Sequence, residues 1–109
     1  MDENKYIESF EIISEAGDAR CKALEAIEKA EQYLFDDAQA LLAEANTCMN
    51  RAHKMQTDMI VREVNGQPVD THILLVHAQD HFSMAMETID MAKIIIKLYS
   101  KISTLEQAK

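Results

Sequence analysis

The sequence predicts an all-α fold, namely one antiparallel three-helix bundle over residues 1–109. Two observations lead to this prediction. Glycine occurs only twice and proline once, while Ala, Glu, Lys, Leu, Met and Gln, which lose little rotamer freedom in a helix, are abundant. Apolar residues also recur at three- and four-residue steps along most of the chain. The length suits one domain, but the core of so short a chain is thin, and oligomerisation would add burial.

The first helix is predicted over residues 4–32 and the second over residues 37–64. The segment Tyr-Leu-Phe-Asp-Asp at 33–37 predicts the turn between them, with Asp36 as the N-cap of the second helix. The second helix should end at the segment Asn-Gly-Gln-Pro at 65–68, because Asn-Gly favours positive φ and proline cannot donate to a helix. The apolar stripe of the first helix comprises Ile7, Phe10, Ile13, Ala16, Ala19, Leu24 and Ile27.

The third helix is predicted over residues 71–106, with Asp70 or Thr71 as its N-cap and His72 exposed to solvent. It carries two parallel apolar seams. The outer seam comprises Leu74, His77, His81, Met84, Thr88, Met91, Ile95, Leu98, Ile102 and Leu105. The inner seam comprises Leu75, Ala78, Phe82, Ala85, Ile89, Ala92, Ile96 and Tyr99. One seam suffices for an isolated bundle, so two seams predict an oligomer in which the third helices meet. A trimer, giving a nine-helix bundle, is one closed solution.

Charge and composition exclude several classes of function. The formal net charge of −8 repels phosphate backbones, so no nucleic-acid partner is expected. The two cysteines, Cys21 and Cys48, form no zinc-ligand pattern. The first ten residues lack the features of a secretory signal, and no stretch approaches the roughly 20 apolar residues of a membrane span. We therefore expect a cytoplasmic protein with reduced thiols and no direct membrane insertion.

The segment Leu-Val-His-Ala-Gln-Asp-His at 75–81 places titratable side chains in an otherwise apolar stretch. His77 and His81 share a helical face, and Asp80 is also a neighbour of His77. Three interpretations compete on spacing alone. The histidines are structural, or they bind a metal as an i, i+4 pair, or a neutral imidazole accepts a phosphoryl group. Spacing favours the structural interpretation over the other two.

The same segment resembles the signature of the lactose/cellobiose-specific (and chitobiose-specific) enzyme IIA family of the bacterial sugar phosphotransferase system. Further similarities follow in order: Ile-Ser-Glu-Ala-Gly-Asp-Ala at 13–19, and Ala-His-Lys-Met-Gln-Thr at 52–57 with Glu63 and Gly66. Together they cover nearly the whole chain. This sequence departs from the common pattern after the signature, where it has Phe-Ser-Met at 82–84, and we expect Phe82 to affect packing only. His53 matches the pattern, and we expect a structural role for it.

The resemblance implies a trimeric phosphocarrier that works as a covalent relay. His77 would accept a phosphoryl group from phospho-HPr and pass it to a cysteine of the sugar-specific IIB subunit, supporting uptake of a β-linked disaccharide through membrane IIC. Gln79 and His81 would support the site. By the same resemblance, Asp80 matches an acidic residue of the family, and the three copies of that residue meet around a metal ion on the threefold axis of the trimer. Because three converging carboxylates repel one another, a hard divalent cation such as Mg²⁺ suits them.

Overall fold

The computed structural model describes residues 4–109, with side chains from Tyr6 onward, as three α-helices. They are α1 (Asn4–Glu31), α2 (Phe35–Val64) and α3 (Ile73–Gln107). The predicted all-α, three-helix fold is confirmed, and the described residues include no strand. The predicted ranges of 4–32, 37–64 and 71–106 differ from the observed bounds by at most two residues at either end.

Contacts between the helices fix their directions. Three ion pairs join α1 to α2 in antiparallel order: Glu8 with Arg62, Glu15 with Arg51, and Lys22 with Glu44. At the two ends of the bundle, Tyr6 meets His72 and Tyr33 meets Glu106, so α3 runs parallel to α1. The up-down-up arrangement forms a rod of 64 × 22 × 19 Å. α1 lies in the centre and packs along both other helices, whereas α2 and α3 contact each other much less.

The buried face of α1 consists mainly of alanines at three- and four-residue spacing, an alanine ladder. The apolar stripe predicted for this helix was therefore partly wrong. Ile7 and Phe10 are exposed at 51% and 59%, because the buried face is rotated away from them by about one residue. The buried side chains of α1 are Ser9, Ile12, Ala16, Ala19, Ala23, Ala26 and Ala30. Small side chains let the flanking helices approach α1 closely, but each alanine buries little apolar surface. The single chain therefore has the thin core expected from its length.

The two seams of α3 have different environments. The inner seam is buried from Ala78 to Ile96 and packs against the core. The outer seam stays largely exposed: Met84, Met91, Leu98 and Leu105 each expose between 46% and 68% of their surface. An apolar stripe of this length on one face is the kind of surface that forms protein–protein contacts.

The helix caps differ from those predicted. The N-cap of α2 is Leu34, whose side chain makes no capping hydrogen bond, and Asp36 lies inside the first turn instead. At that position the negative charge of Asp36 still interacts favourably with the positive end of the helix dipole. The N-cap of α3 is His72 rather than Asp70 or Thr71, and His72 is half-buried rather than exposed to solvent. The turn after α2 forms as predicted, with Gly66 at φ 79°.

Candidate functional site

The first two turns of α3 carry the candidate site at one end of the bundle. The chain leaves α2 through the turn at Gly66, and the carboxylate of Glu63 then accepts a hydrogen bond from the backbone N–H of Val69 at 3.2 Å. α3 begins at Ile73, where His72 caps it. His77 is therefore the fifth residue of the helix, at the start of its second turn.

His77 and His81 form a close pair on the surface. Their Nε2 atoms lie 3.1 Å apart, and their rings meet edge-to-face at 86° with centroids 4.6 Å apart. His77 is exposed and His81 is half-buried. Since two neutral imidazoles can share this contact only if one donates an Nε2–H and the other accepts it, one Nε2 of the pair carries a lone pair. The hydrogen bond occupies that lone pair, which becomes available as a nucleophile when the contact opens, and His77 is the ring of the pair that is exposed to a partner protein.

Asp80 does not belong to this pair. Its side chain is exposed, and in residues 4–109 no hydrogen bond or ion pair joins it to His77. It extends the exposed stripe of α3 that Met84 and Met91 continue. Within one subunit the described residues contain no group of three or more His, Cys, Asp or Glu side chains arranged to hold a metal ion.

Gln79 also points away from the histidine pair. Residues two apart in a helix do not face each other, and Gln79 instead lines a groove between α2 and α3 together with Gln56 and Leu75. The structure thus brings together His77 and His81 but does not bring Gln79 to them within one subunit. A role for Gln79 would require a group bound in that groove or a neighbouring subunit.

Gln56 also lines this groove, and no functional role was predicted for it from the sequence. Its side-chain oxygen Oε1 is buried and has no hydrogen-bond partner among the described residues. An unpaired buried acceptor of this kind typically costs about 1–3 kcal/mol, so a donor from outside the subunit would stabilise it. Gln56 lies in the segment at 52–57 that resembled the family pattern, but sequence alone could not show that its oxygen is unpaired.

His53 lies one turn away from Gln56 on α2, where its ring stacks on Phe82 with centroids 6.1 Å apart and an angle of 17°. Phe82 is buried in the core, in agreement with a packing role for the residue that departs from the family pattern. Further along α2, Arg62 pairs with Glu8 at 3.0 Å, and the hydrogen bond that Arg62 donates to the Glu8 carboxylate raises the pKa of Arg62 above its usual value. This pair holds the start of α1 against the end of α2.

Comparison with known proteins places this arrangement in a family. Residues 8–100 match the family described as the lactose/cellobiose-specific IIA subunit of the phosphotransferase system. The chain belongs to this family. It is therefore a IIA component of a sugar phosphotransferase system, that is, a phosphotransferase component.

Individual relatives agree with the assignment to the IIA family. The chain is 42% identical over 92 residues to the lactose-specific EIIA component of Staphylococcus epidermidis, covering 84% of this chain and 88% of that protein. The corresponding component of Streptococcus mutans is 39% identical over 92 residues, with the same coverage. The crystal structure of the cellobiose-specific enzyme IIA from Bacillus anthracis superposes with a TM-score of 0.91 at 33% identity, over 95% of each chain. PtcA from S. mutans gives a TM-score of 0.87 at 32% identity, over 92% of this chain and 98% of PtcA.

No helix in residues 4–109 combines the length and the apolar character that a membrane-spanning segment requires.

Proposed function

We propose that this IIA component is a phosphocarrier that accepts a phosphoryl group from phospho-HPr on His77 and transfers it to a cysteine of the cognate IIB subunit. The transfer would serve the uptake and phosphorylation of a β-linked disaccharide by a membrane IIC subunit, with the carrier acting in the cytoplasm. The observation that carries the proposal is the imidazole pair of exposed His77 and half-buried His81, with its Nε2 atoms 3.1 Å apart.

The chemistry needs only a positioned neutral imidazole. In this proposal His81 carries its proton on Nε2 and donates it to His77 Nε2 until the phosphoryl donor arrives, when that hydrogen bond breaks and frees the lone pair of His77 Nε2. That lone pair forms the new P–N bond, while the P–N bond of the donor phosphohistidine breaks and its electron pair returns to the donor nitrogen. The Nε2–H of His81 then lies beside the phosphoryl oxygens and can donate to one of them. Positioning and charge stabilisation of this kind are the main requirements of phosphoryl transfer.

We also propose that the carrier is a homotrimer. The outer seam of α3 supports this, because about half of each of Met84, Met91 and Leu98 remains exposed on one continuous face. A closed trimer would bury the three copies of that face against one another. It would also bring the surroundings of His77 close to a neighbouring subunit, from which Gln79 or another polar group could reach the phosphoryl group.

Asp80 is the proposed metal residue of the trimer axis. Its exposed carboxylate lies on the face that would meet its two copies, and oxygen ligands suit Mg²⁺. If the carboxylates share an ion, added Mg²⁺ should raise the melting temperature of the native protein and leave that of Asp80→Leu unchanged. The variant should also be more stable than the metal-free native protein, because it lacks the repulsion of three buried charges. A less stable, dissociated variant would contradict this role for Asp80.

The phosphoryl site is tested by intact-mass spectrometry at neutral pH after incubation with phosphoenolpyruvate, enzyme I and HPr. The native chain should gain one acid-labile phosphoryl group, and His77→Gln should gain none. His53→Gln is the matched control, because it removes an exposed histidine from a different helix and should leave the gain intact. A phosphorylated His77→Gln variant would overturn the assignment. With active partners, a native chain that gains nothing would remove the phosphocarrier function.

A further inference from the structure

We propose that His72 is a positioning residue for His77: its neutral imidazole caps α3, and protonation of that ring releases the first turn, which supports His77. This inference rests on the proposed phosphocarrier function for its kinetic consequence. The structural part of it stands on the capping geometry alone.

The capping geometry is complete for a neutral ring. His72 has extended backbone angles, φ −144° and ψ 166°, and its Nδ1 accepts a hydrogen bond from the backbone N–H of Leu75 at 3.2 Å. Its carbonyl oxygen accepts from the N–H of Val76 at 3.1 Å. Histidine is an unusual N-cap, since Ser, Thr, Asp and Asn predominate at this position. The first turn also has no acidic residue that could stabilise it in place of the cap.

Packing supports only part of the first turn: Leu75 packs partly against the core, whereas two of the residues around it are exposed. Ile73 exposes 83% and Val76 46% of its surface. In an α-helix the backbone N–H of residue i bonds to the carbonyl of residue i−4, so the N–H of His77 is held by Ile73. Fraying of that turn therefore removes the backbone support of His77 and changes where its ring lies relative to His81.

Protonation of His72 reverses the role of Nδ1. A protonated imidazole donates from both nitrogens, so it cannot accept from Leu75, and its positive charge faces the positive end of the helix dipole. Histidine is the side chain whose charge ordinarily changes between pH 5 and 8, so the consequence of protonation is measured in that range.

The surroundings of His72 are drawn from α1, α2 and the connecting loop. From α1, Tyr6 packs its ring 5.0 Å from the imidazole at 58°, a contact that favours a cation only modestly. From α2, the carboxylate of Glu63 is already bound to the N–H of Val69. In the connecting loop, Asp70 lies two residues before the cap and is the nearest acidic residue along the chain.

Two variants separate capping from packing. His72→Asn keeps a side-chain acceptor and loses the ring, whereas His72→Phe keeps a ring against Tyr6 and loses the acceptor. Hydrogen exchange of the Leu75 to His77 amides, corrected for intrinsic rates, should show native-like protection at pH 7.5 for His72→Asn. Protection in His72→Phe should fall about fivefold, the usual effect of a missing N-cap acceptor. Protection retained in His72→Phe and lost in His72→Asn would overturn the capping role.

The pH profile adds a measurement that ring packing alone would not change. Between pH 7.5 and 5.5 the first-turn protection of the native protein should fall toward that of His72→Phe, while that of His72→Asn stays constant. Because the first turn frays only part of the time even without its cap, the single-turnover rate of phosphoryl transfer from phospho-HPr should fall by less than the exchange protection, about twofold, in His72→Phe at pH 7.5. It should be restored in His72→Asn. An identical pH dependence of exchange in native protein and His72→Asn would refute the switch.

The exchange measurements and the rate measurements together distinguish failure of this inference from failure of the proposed function. Exchange measurements require no phosphoryl donor, so they test the cap even if the native chain accepts no phosphate. A normal cap in a chain that cannot be phosphorylated would overturn the phosphocarrier function and, with it, the positioning role. A phosphorylated chain whose rate is equal in His72→Phe and the native protein would overturn the positioning role alone.

Discussion

Replacing Leu98 by aspartate should dissociate the proposed trimer without unfolding the subunit. Leu98 lies in the middle of the outer seam and exposes 52% of its surface in the single chain. Full burial of a leucine side chain contributes about 1.5–3 kcal/mol, so burial of the exposed half contributes about 1 kcal/mol per subunit. Three copies give about 3 kcal/mol, which is more than a hundredfold in the association constant. Three buried carboxylates add several kcal/mol more.

The assay is light scattering coupled to size-exclusion chromatography at micromolar concentration, with circular dichroism to verify helix content. The native chain should elute as a trimer and Leu98→Asp as a helical monomer. Val61→Asp is the matched control, since Val61 is exposed to a similar degree, 49%, but lies on α2 away from the seam. A trimer that survives Leu98→Asp, or dissociation caused equally by Val61→Asp, would refute the role of the outer seam.

Three further predictions concern local structure. Gly66→Ala should destabilise the chain by about 1–2 kcal/mol in urea unfolding, because φ is 79° there; an unchanged midpoint would contradict the strain argument. Glu106 accepts a 2.6 Å hydrogen bond from the hydroxyl of Tyr33 and raises its pKa above 10.0, so stability from this bond is present below pH 10 and is lost as pH rises through the raised value. Glu106→Gln should move the phenolate absorbance titration to lower pH, and an unshifted curve would rule out the bond in solution. Gly17→Ala should stabilise α1 by about 0.8–1.0 kcal/mol, since a Cβ there meets nothing within 4 Å; a lower melting temperature would show that Gly17 faces a neighbouring subunit.

The helices were predictable from sequence because their signals are local. Periodic apolar residues mark α2 and α3, and Asn-Gly before Pro68 marks the turn between them. The orientation of α1 was less predictable. Ile7 and Phe10 are larger and more apolar than the alanines that follow, so the apolar pattern assigned them to the face that packs in the core. The tertiary structure instead buries the alanine ladder, because α1 lies between two helices and only small side chains fit on both sides.

The site was predictable in part. The spacing of His77 and His81 placed them on one face, and their rings do meet. Neither the cap by His72 nor the unpaired oxygen of Gln56 could be read from the sequence. The cap depends on the backbone conformation of His72 at the end of a loop, and Asp70 and Thr71 are residue types that occur more often at N-caps. The unpaired oxygen depends on how closely α2 and α3 approach each other.

The site and the proposed interface share one surface. His77 and His81 begin the seam that Met84, Met91 and Leu98 continue, so assembly through that seam brings a second subunit up to the imidazole pair. Leu98 is 21 residues beyond His77, about 32 Å along a helix rising 1.5 Å per residue, and cannot contact a phosphoryl group there. If folded, monomeric Leu98→Asp transfers the phosphoryl group more slowly than the native protein, the neighbouring subunit must contribute to the site. An unchanged rate would mean that the histidine pair of one subunit is a sufficient acceptor and that trimerisation serves stability alone.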